Sequence, residues 1–240
     1  MKIVKVKNYD EMSKRGFEII KEVIENEKMP TISLNTGGTP KELYNHLVDA
    51  INNGLNISNT SFLSLDEYIG PKNSVYTVYN YMFNRLFNLI EQQPKKIFLM
   101  NGEAENIDEE IKRYKGILNE YPRDLQLLGI GTNGHLGANE PGTSFDSKMF
   151  LAQHTESTIQ STMKEYNISR EEVPTEMLTL GMYEIINAKK VLLLASGKHK
   201  AKAVKNLIEG DITKNCPASI LQKCPNAIVI IDEDAASLLK

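Results

Sequence analysis

The chain has 240 residues, 41% of them hydrophobic and 25% charged, which is ordinary for one soluble domain with a sizeable core. Its formal net charge of −3 offers no basic footprint for nucleic acid and no polybasic arm for a membrane, so an anionic ligand has to be held by a local site. Cys216 and Cys224 lack metal-ligand spacing and read as free thiols.

The segment Met1–Lys7 alternates apolar residues with Lys and reads as a first strand, not as a leader with a continuous apolar stretch. The purely apolar runs Val191–Ala195 and Ala227–Ile231 are too short to span a bilayer and suit buried strands. The expected location is the cytoplasm. In chain order, strands are expected at Ile3–Val6, Thr31–Leu34, Ser61–Leu65, Lys96–Met100, Leu125–Ile130, Phe150–Gln153, Met177–Leu180, Val191–Ala195 and Ala227–Ile231. Helical spacing of apolar residues marks Tyr9–Asn26, Pro40–Asn52, Tyr76–Gln92, Ile107–Glu120, Lys200–Ile208 and Ala235–Leu239. The alternation predicts a three-layer, Rossmann-like α/β fold, with a mainly parallel sheet and helices on both faces, in a single domain over 1–240. In such sheets, ligands sit beyond the carboxyl ends of the strands, which directs attention to three loops.

The first loop is Asn35–Pro40, between a strand and a helix. Its glycines bring backbone N–H groups close to an anion, and the helix start adds free donors. Thr39, Pro40 and Glu42 have the order of an N-cap, a first helical residue and a capping-box acid. The loop is neither a Walker A motif nor Gly-x-Gly-x-x-Gly, so a nucleotide is disfavoured; an ordinary tight turn is the alternative reading. The second is the acidic strand end Asp66-Glu67-Tyr68, where a buried carboxylate would serve as a general base; a helix cap or a solvated pair competes with that role. The third is Gly131–Thr143, where four glycines surround His135 and Glu140 at the tip of an apolar strand. Asn133 precedes His135 by two residues, and His is the side chain best suited to move protons near neutral pH. His46, His154 and His199 read as structural or surface residues.

The ordered set Thr36-Gly37-Gly38-Thr39-Pro40, Leu65-Asp66-Glu67-Tyr68, Asn101-Gly102, Gly129-Ile130-Gly131 with Asn133-Gly134-His135, Asn139-Glu140-Pro141, Val173-Pro174, Gly197 with Lys200, and Pro217-Ala218-Ser219 resembles glucosamine-6-phosphate deaminase, within the glucosamine-6-phosphate isomerase/6-phosphogluconolactonase superfamily. The resemblance spans almost the whole chain. It implies conversion of glucosamine 6-phosphate and water to fructose 6-phosphate and ammonia, with no metal or organic cofactor. By motif, Thr36, Gly37, Gly38 and Thr39 would bind phosphate with Lys200. Lys164 falls where the family places an Arg that grips the substrate. His135 would open the sugar ring, Asn133 and Glu140 would support it, and Asp66 would move the C2 proton to C1.

The chain also departs from the family pattern. Asn133 stands where Asp is frequent, Ala138 where an aromatic is usual, Val78 for Ser, Lys164 for Arg and Cys224 for His; Lys cannot supply the bidentate fork of Arg. These departures point to altered substrate preference or reduced activity. Ser144–Phe150 holds a single basic residue, Lys148, where the allosterically activated members carry basic residues, so no such activation is expected. The polar stretch Phe150–Glu172 is a candidate lid. A lactonase would follow its His with a Ser-Leu-Phe-Pro type sequence, which this chain lacks. A sugar-phosphate sensor of the transcriptional type would add a helix-turn-helix domain. A divergent relative that acts on another amino-sugar phosphate, such as the galactosamine epimer, or that binds sugar phosphate without turnover, stays open. The expected partner is a small sugar phosphate, with no nucleic acid and no membrane, and a homo-oligomer left open.

Overall fold

A computed structural model describes the backbone of residues 1–240 and every side chain but that of Ser157. Ten strands fall into two sheets. The larger is entirely parallel and runs β1(Lys2–Val6), β10(Ala227–Asp232), β9(Lys190–Ala195), β6(Leu125–Leu128), β2(Thr31–Leu34), β3(Ser61–Ser64), β5(Lys96–Phe98). The smaller is antiparallel: β4(Asp66–Tyr68), β8(Glu176–Thr179), β7(Phe150–Gln153). Every residue of β2, β3 and β6 is buried, which explains their unbroken apolar or small-polar character. The edge strands β1 and β5 carry exposed Lys2, Lys5 and Lys96, which blunt pairing with another chain.

Strand alternation divides the core between the two faces of the large sheet. Leu127, Leu192, Leu194 and Ile230 pack beneath α1(Tyr9–Asn26) and α2(Lys41–Asn52). Leu128, Leu193, Val229 and Ile231 pack on the other side with α4(Ile107–Glu120) and α7(Ala201–Glu209). Helices α1 and α4 start where expected, and Asn8 and Asn106 cap them there, accepting from Glu11 N at 3.0 Å and Glu109 N at 3.2 Å.

The structure corrects several expected boundaries. The helix expected over Tyr76–Gln92 is a short α3(Val78–Met82) that passes directly into a π turn over Phe83–Phe87. The turn seats Phe83 4.4 Å from Tyr79 and Phe87 5.8 Å from Phe62, measured between ring centroids. The stretch expected as a helix at Ala235–Leu239 is a string of turns, at whose start the Asp232 carboxylate accepts from Ala235 N at 2.7 Å. The helix after the Gly-Gly loop starts at Lys41, and Thr39 does not cap it: Glu42 N donates to the Tyr9 hydroxyl at 3.1 Å. Two further helices are new, α5(Glu156–Tyr166) inside the candidate lid and α6(Met182–Ile186). Among the described residues, no helix is long and apolar enough to cross a membrane.

The strand order places the site. From β2 the chain moves outward to β3 and β5, then returns to place β6 on the other side of β2. Ligands in open α/β sheets collect at such a reversal, outside the carboxyl ends of the strands. Beyond β3 the chain crosses into the small sheet: Leu65 N donates to Leu34 O and Leu180 N to Leu65 O, both at 3.0 Å. Asp66 is thereby fixed at the junction of the two sheets.

Candidate functional site

A cleft of about 240 Å³ opens at this reversal. Its wall includes Thr36, Gly37, Gly38 and Thr39 after β2, Asp66 after β3, His135 and Ala138 after β6, and Lys200 at the start of α7. Three loops that are far apart in sequence therefore meet in one space.

The loop after β2 is held by hydroxyls. Tyr44 donates to Asn35 O at 2.5 Å, Tyr81 to Gly37 O at 2.8 Å, and Tyr9 to Gly38 O at 3.2 Å. Three carbonyls of the loop are thus committed to tyrosines, which leaves its N–H groups as the polar surface nearest an anion. Lys200 faces the same end of the cleft; burial lowers its pKa below the ordinary lysine value, and the Glu165 carboxylate partly restores it.

Asp66 is buried, with Oδ1 lacking any hydrogen-bond partner. Desolvation pushes its carboxyl up to about 7, where a carboxylate becomes an effective proton acceptor near neutrality. Neighbouring Glu67 has another task. It accepts from Tyr68 N at 2.9 Å, Val78 N at 2.8 Å and Tyr79 N at 2.8 Å, and so anchors α3.

His135 rests on Gly131, where a Cβ would run into the imidazole ring, so only glycine fits there. Gly134 has φ +90°, and a Cβ would strike Cys216 Sγ at 2.5 Å. His135 Nδ1 lies 3.5 Å from Glu140 Oε2, close enough for ion pairing and too long for a formed hydrogen bond. Glu140 is further held by Asn133 Nδ2 at 2.7 Å and by the Thr158 hydroxyl. Burial would raise the pKa of Glu140, but His135, Thr158 and Asn133 together outweigh burial and hold it at about 2. Glu140 is therefore a permanent anion behind the histidine. Asn133 and Glu140 do not line the cleft; they stand behind His135.

Other sequence-singled residues fall elsewhere. Lys164 is exposed on α5 and is not part of the cleft wall; its charge is felt by His199. Val78 is a buried anchor for Glu67 and does not touch the cleft. Cys216 and Cys224 are free thiols, both buried in the core. Conversely, His154 does line the cleft. Its Nδ1 is 3.1 Å from Pro174 O, its ring sits edge-on to Tyr68 at 5.3 Å, and burial lowers its pKa. The residues Thr158, Thr162 and Glu165 of α5 also close over the cleft. The missed signal was the helical spacing of Ile159, Thr162, Met163 and Tyr166 within a polar stretch. Among the described residues, the one cluster of three groups close enough to share a metal ion is Asp10, Glu42 and His46, none of which lines the cleft.

The model of one family, glucosamine-6-phosphate isomerases/6-phosphogluconolactonase, matches residues 6–230. The chain belongs to that family. Within it, the chain is 43% identical to the glucosamine-6-phosphate deaminase of Streptococcus sanguinis and 44% identical to that of Listeria innocua, in both cases over all of each chain. Among solved structures, a monomeric glucosamine-6-phosphate deaminase superposes with a TM-score of 0.95 at 38% identity, covering 99% of this chain and 100% of that one. A 6-phosphogluconolactonase from Trypanosoma brucei shares the fold, with a TM-score of 0.80 at 22% identity, covering 100% of this chain and 98% of that one. The family frame accounts for the two sheets and the three converging loops, and the deaminase relatives stand nearer than the lactonase.

Proposed function

We propose that this chain converts glucosamine 6-phosphate and water to fructose 6-phosphate and ammonia, in one domain spanning 1–240. The observation that carries this reading is the pairing within one cleft of a buried carboxylate near pKa 7, Asp66, with a histidine backed by a fixed anion, His135 with Glu140. The phosphate rests on the Thr36–Thr39 loop, with Lys200 beside it. His135 takes the anomeric hydroxyl proton and passes one to the ring oxygen, opening the sugar. Asp66 then removes the C2 proton and returns it at C1, while a proton given up by the substrate's ammonium reaches O1, turning the 2-amino aldose into a C2 iminium. Water adds at C2, ammonia leaves, and the ketose remains. Each proton step uses a group whose environment matches its task. Lys164 lies off the cleft, and the gripping role carried by Arg in the family falls to other groups here.

Ala138 supports tolerance at the substrate's periphery. Its small side chain lines the cleft beside Tyr68 and Met177, leaving room for an epimeric amino-sugar phosphate. A phosphorylated substrate does not cross a membrane unaided, which supports a cytoplasmic site of action. The test is direct. Purified protein with millimolar glucosamine 6-phosphate should release ammonia and fructose 6-phosphate in equal amounts, and release no faster than in a protein-free control rejects the reading.

A further inference from the structure

Helix α5 straps the cleft at three points. Thr158 donates to Glu140 at one end, Thr162 meets the Tyr68 hydroxyl at 3.2 Å in the middle, and Glu165 pairs with Lys41 Nζ at 2.6 Å at the other end. The third fastening is of a different kind. Lys41 is the first residue of α2, directly after the Gly-Gly loop, and the second oxygen of Glu165 lies 3.6 Å from where a Cβ on Gly38 would stand. A carboxylate thus rests against the N-terminus of a helix twelve residues long and its glycine-rich lead-in, a position that favours negative charge. Lys200, across the same end of the cleft, also feels this carboxylate.

We propose that Glu165 is a built-in competitor for the substrate's phosphate and that Lys41 is a phosphate ligand it holds in reserve. This rests on the assignment of the Thr36–Thr39 loop as the phosphate site. A phosphate dianion and a carboxylate at one helix end repel each other, so binding exchanges partners. Lys41 turns from Glu165 to the phosphate, and α5 loses its fastening at that end. Occupation of the loop is thereby coupled to release of the strap, while the Thr158 contact at the other end still touches Glu140. The carboxylate also sets selectivity: a weakly charged sugar cannot displace it, whereas a phosphate monoester replaces one anion by a stronger one.

The experiment is calorimetric titration of the full chain with inorganic phosphate at fixed ionic strength. The Lys41–Glu165 pair is half exposed, so its loss leaves the fold intact. Glu165→Gln should bind phosphate roughly tenfold tighter than wild type, because a like charge is removed. Lys41→Met should bind it weaker than wild type. Glu165→Gln binding no tighter, or Lys41→Met binding as well as wild type, overturns the inference. The outcomes separate the two readings. Wild type that binds phosphate and deaminates, with Glu165→Gln unchanged, sinks this inference alone. Wild type that binds phosphate in the expected rank order but releases no ammonia sinks the deaminase reading and leaves this one standing. Wild type and Glu165→Gln that both bind no phosphate overturn this inference and leave the deaminase reading to the ammonia assay.

Discussion

Asn133 clamps both halves of the acid–base pair: its Nδ2 donates to Glu140 Oε2 at 2.7 Å while its Oδ1 accepts from His135 N at 3.1 Å. The amide needs no charge to do this, so the positioning half of the role survives where the family often has Asp. Asn133→Ala removes one of the groups that hold Glu140 at about 2. The Glu140 titration, followed by carbon NMR of its carboxyl, should move up by about one unit. The sign for stability follows. A depressed carboxyl stabilises the fold above its ordinary value of 4.5 and loses that contribution as pH falls toward 2. The variant should therefore lose part of this acid-range protection, read as a smaller fall in melting temperature between pH 5 and pH 3 than in wild type.

Asp66→Asn separates catalysis from stability. As the proposed C2 base, Asp66 should be worth about 10²–10⁴-fold in kcat. Its buried carboxyl is raised from 3.8 to about 7, so the folded state pays for the charge once it forms. Stability from this group is fully present below pH 3.8 and lost as pH climbs through 7. Asp66→Asn should accordingly raise the melting temperature at pH 8, by an amount on the order of a few kcal/mol in stability, and leave it unchanged at pH 4. An active Asp66→Asn enzyme would show that the base is another group.

The fold and the three loops of the candidate site were legible because each rests on a local signal. Thr31–Leu34, Phe150–Gln153, Tyr9–Asn26 and Ile107–Glu120 match the structure residue for residue, since apolar period and flanking turn chemistry agree there. The failures share one cause, which is that tertiary contacts override local pattern. Thr39 has the sequence position of an N-cap, yet Tyr9, 33 residues from Glu42, takes the amide. His154 follows an exposed strand residue, but the small sheet turns it into the cleft beside Tyr68. Likewise, Lys164 matches a family position by alignment, while the helical phase of α5 turns Glu165 toward the loop at Gly38 in its place.

His154 carries a prediction about its proton. A carbonyl can only accept, so the contact with Pro174 O at 3.1 Å requires a proton on Nδ1. Burial lowers the pKa of the ring, and its Nε2 is buried without a partner. His154 should thus be a neutral Nδ1–H tautomer at pH 7. Long-range nitrogen–proton correlation spectra of labelled protein would show this directly, with Nε2 at the chemical shift of an unprotonated nitrogen. A doubly protonated ring at pH 7 would contradict the assignment.

Thr158 acts on the proposed reaction through Glu140, and its effect should bear that mark. The hydroxyl donates to Glu140 Oε1 from the first turn of α5, where Thr155 caps the helix by accepting from Thr158 N at 3.4 Å. Thr158→Val keeps the β-branched shape and removes the donor. Glu140 then loses a charge-assisted hydrogen bond, which costs about 1–3 kcal/mol if the site does not relax. Its pKa should rise from about 2. Because the substrate's phosphate end is untouched, kcat should fall by about tenfold or more with KM changed far less. Thr158→Ser restores the hydroxyl and should recover most of the rate. Equal losses in the Val and Ser variants would mean that Thr158 serves only to pack α5 against the cleft.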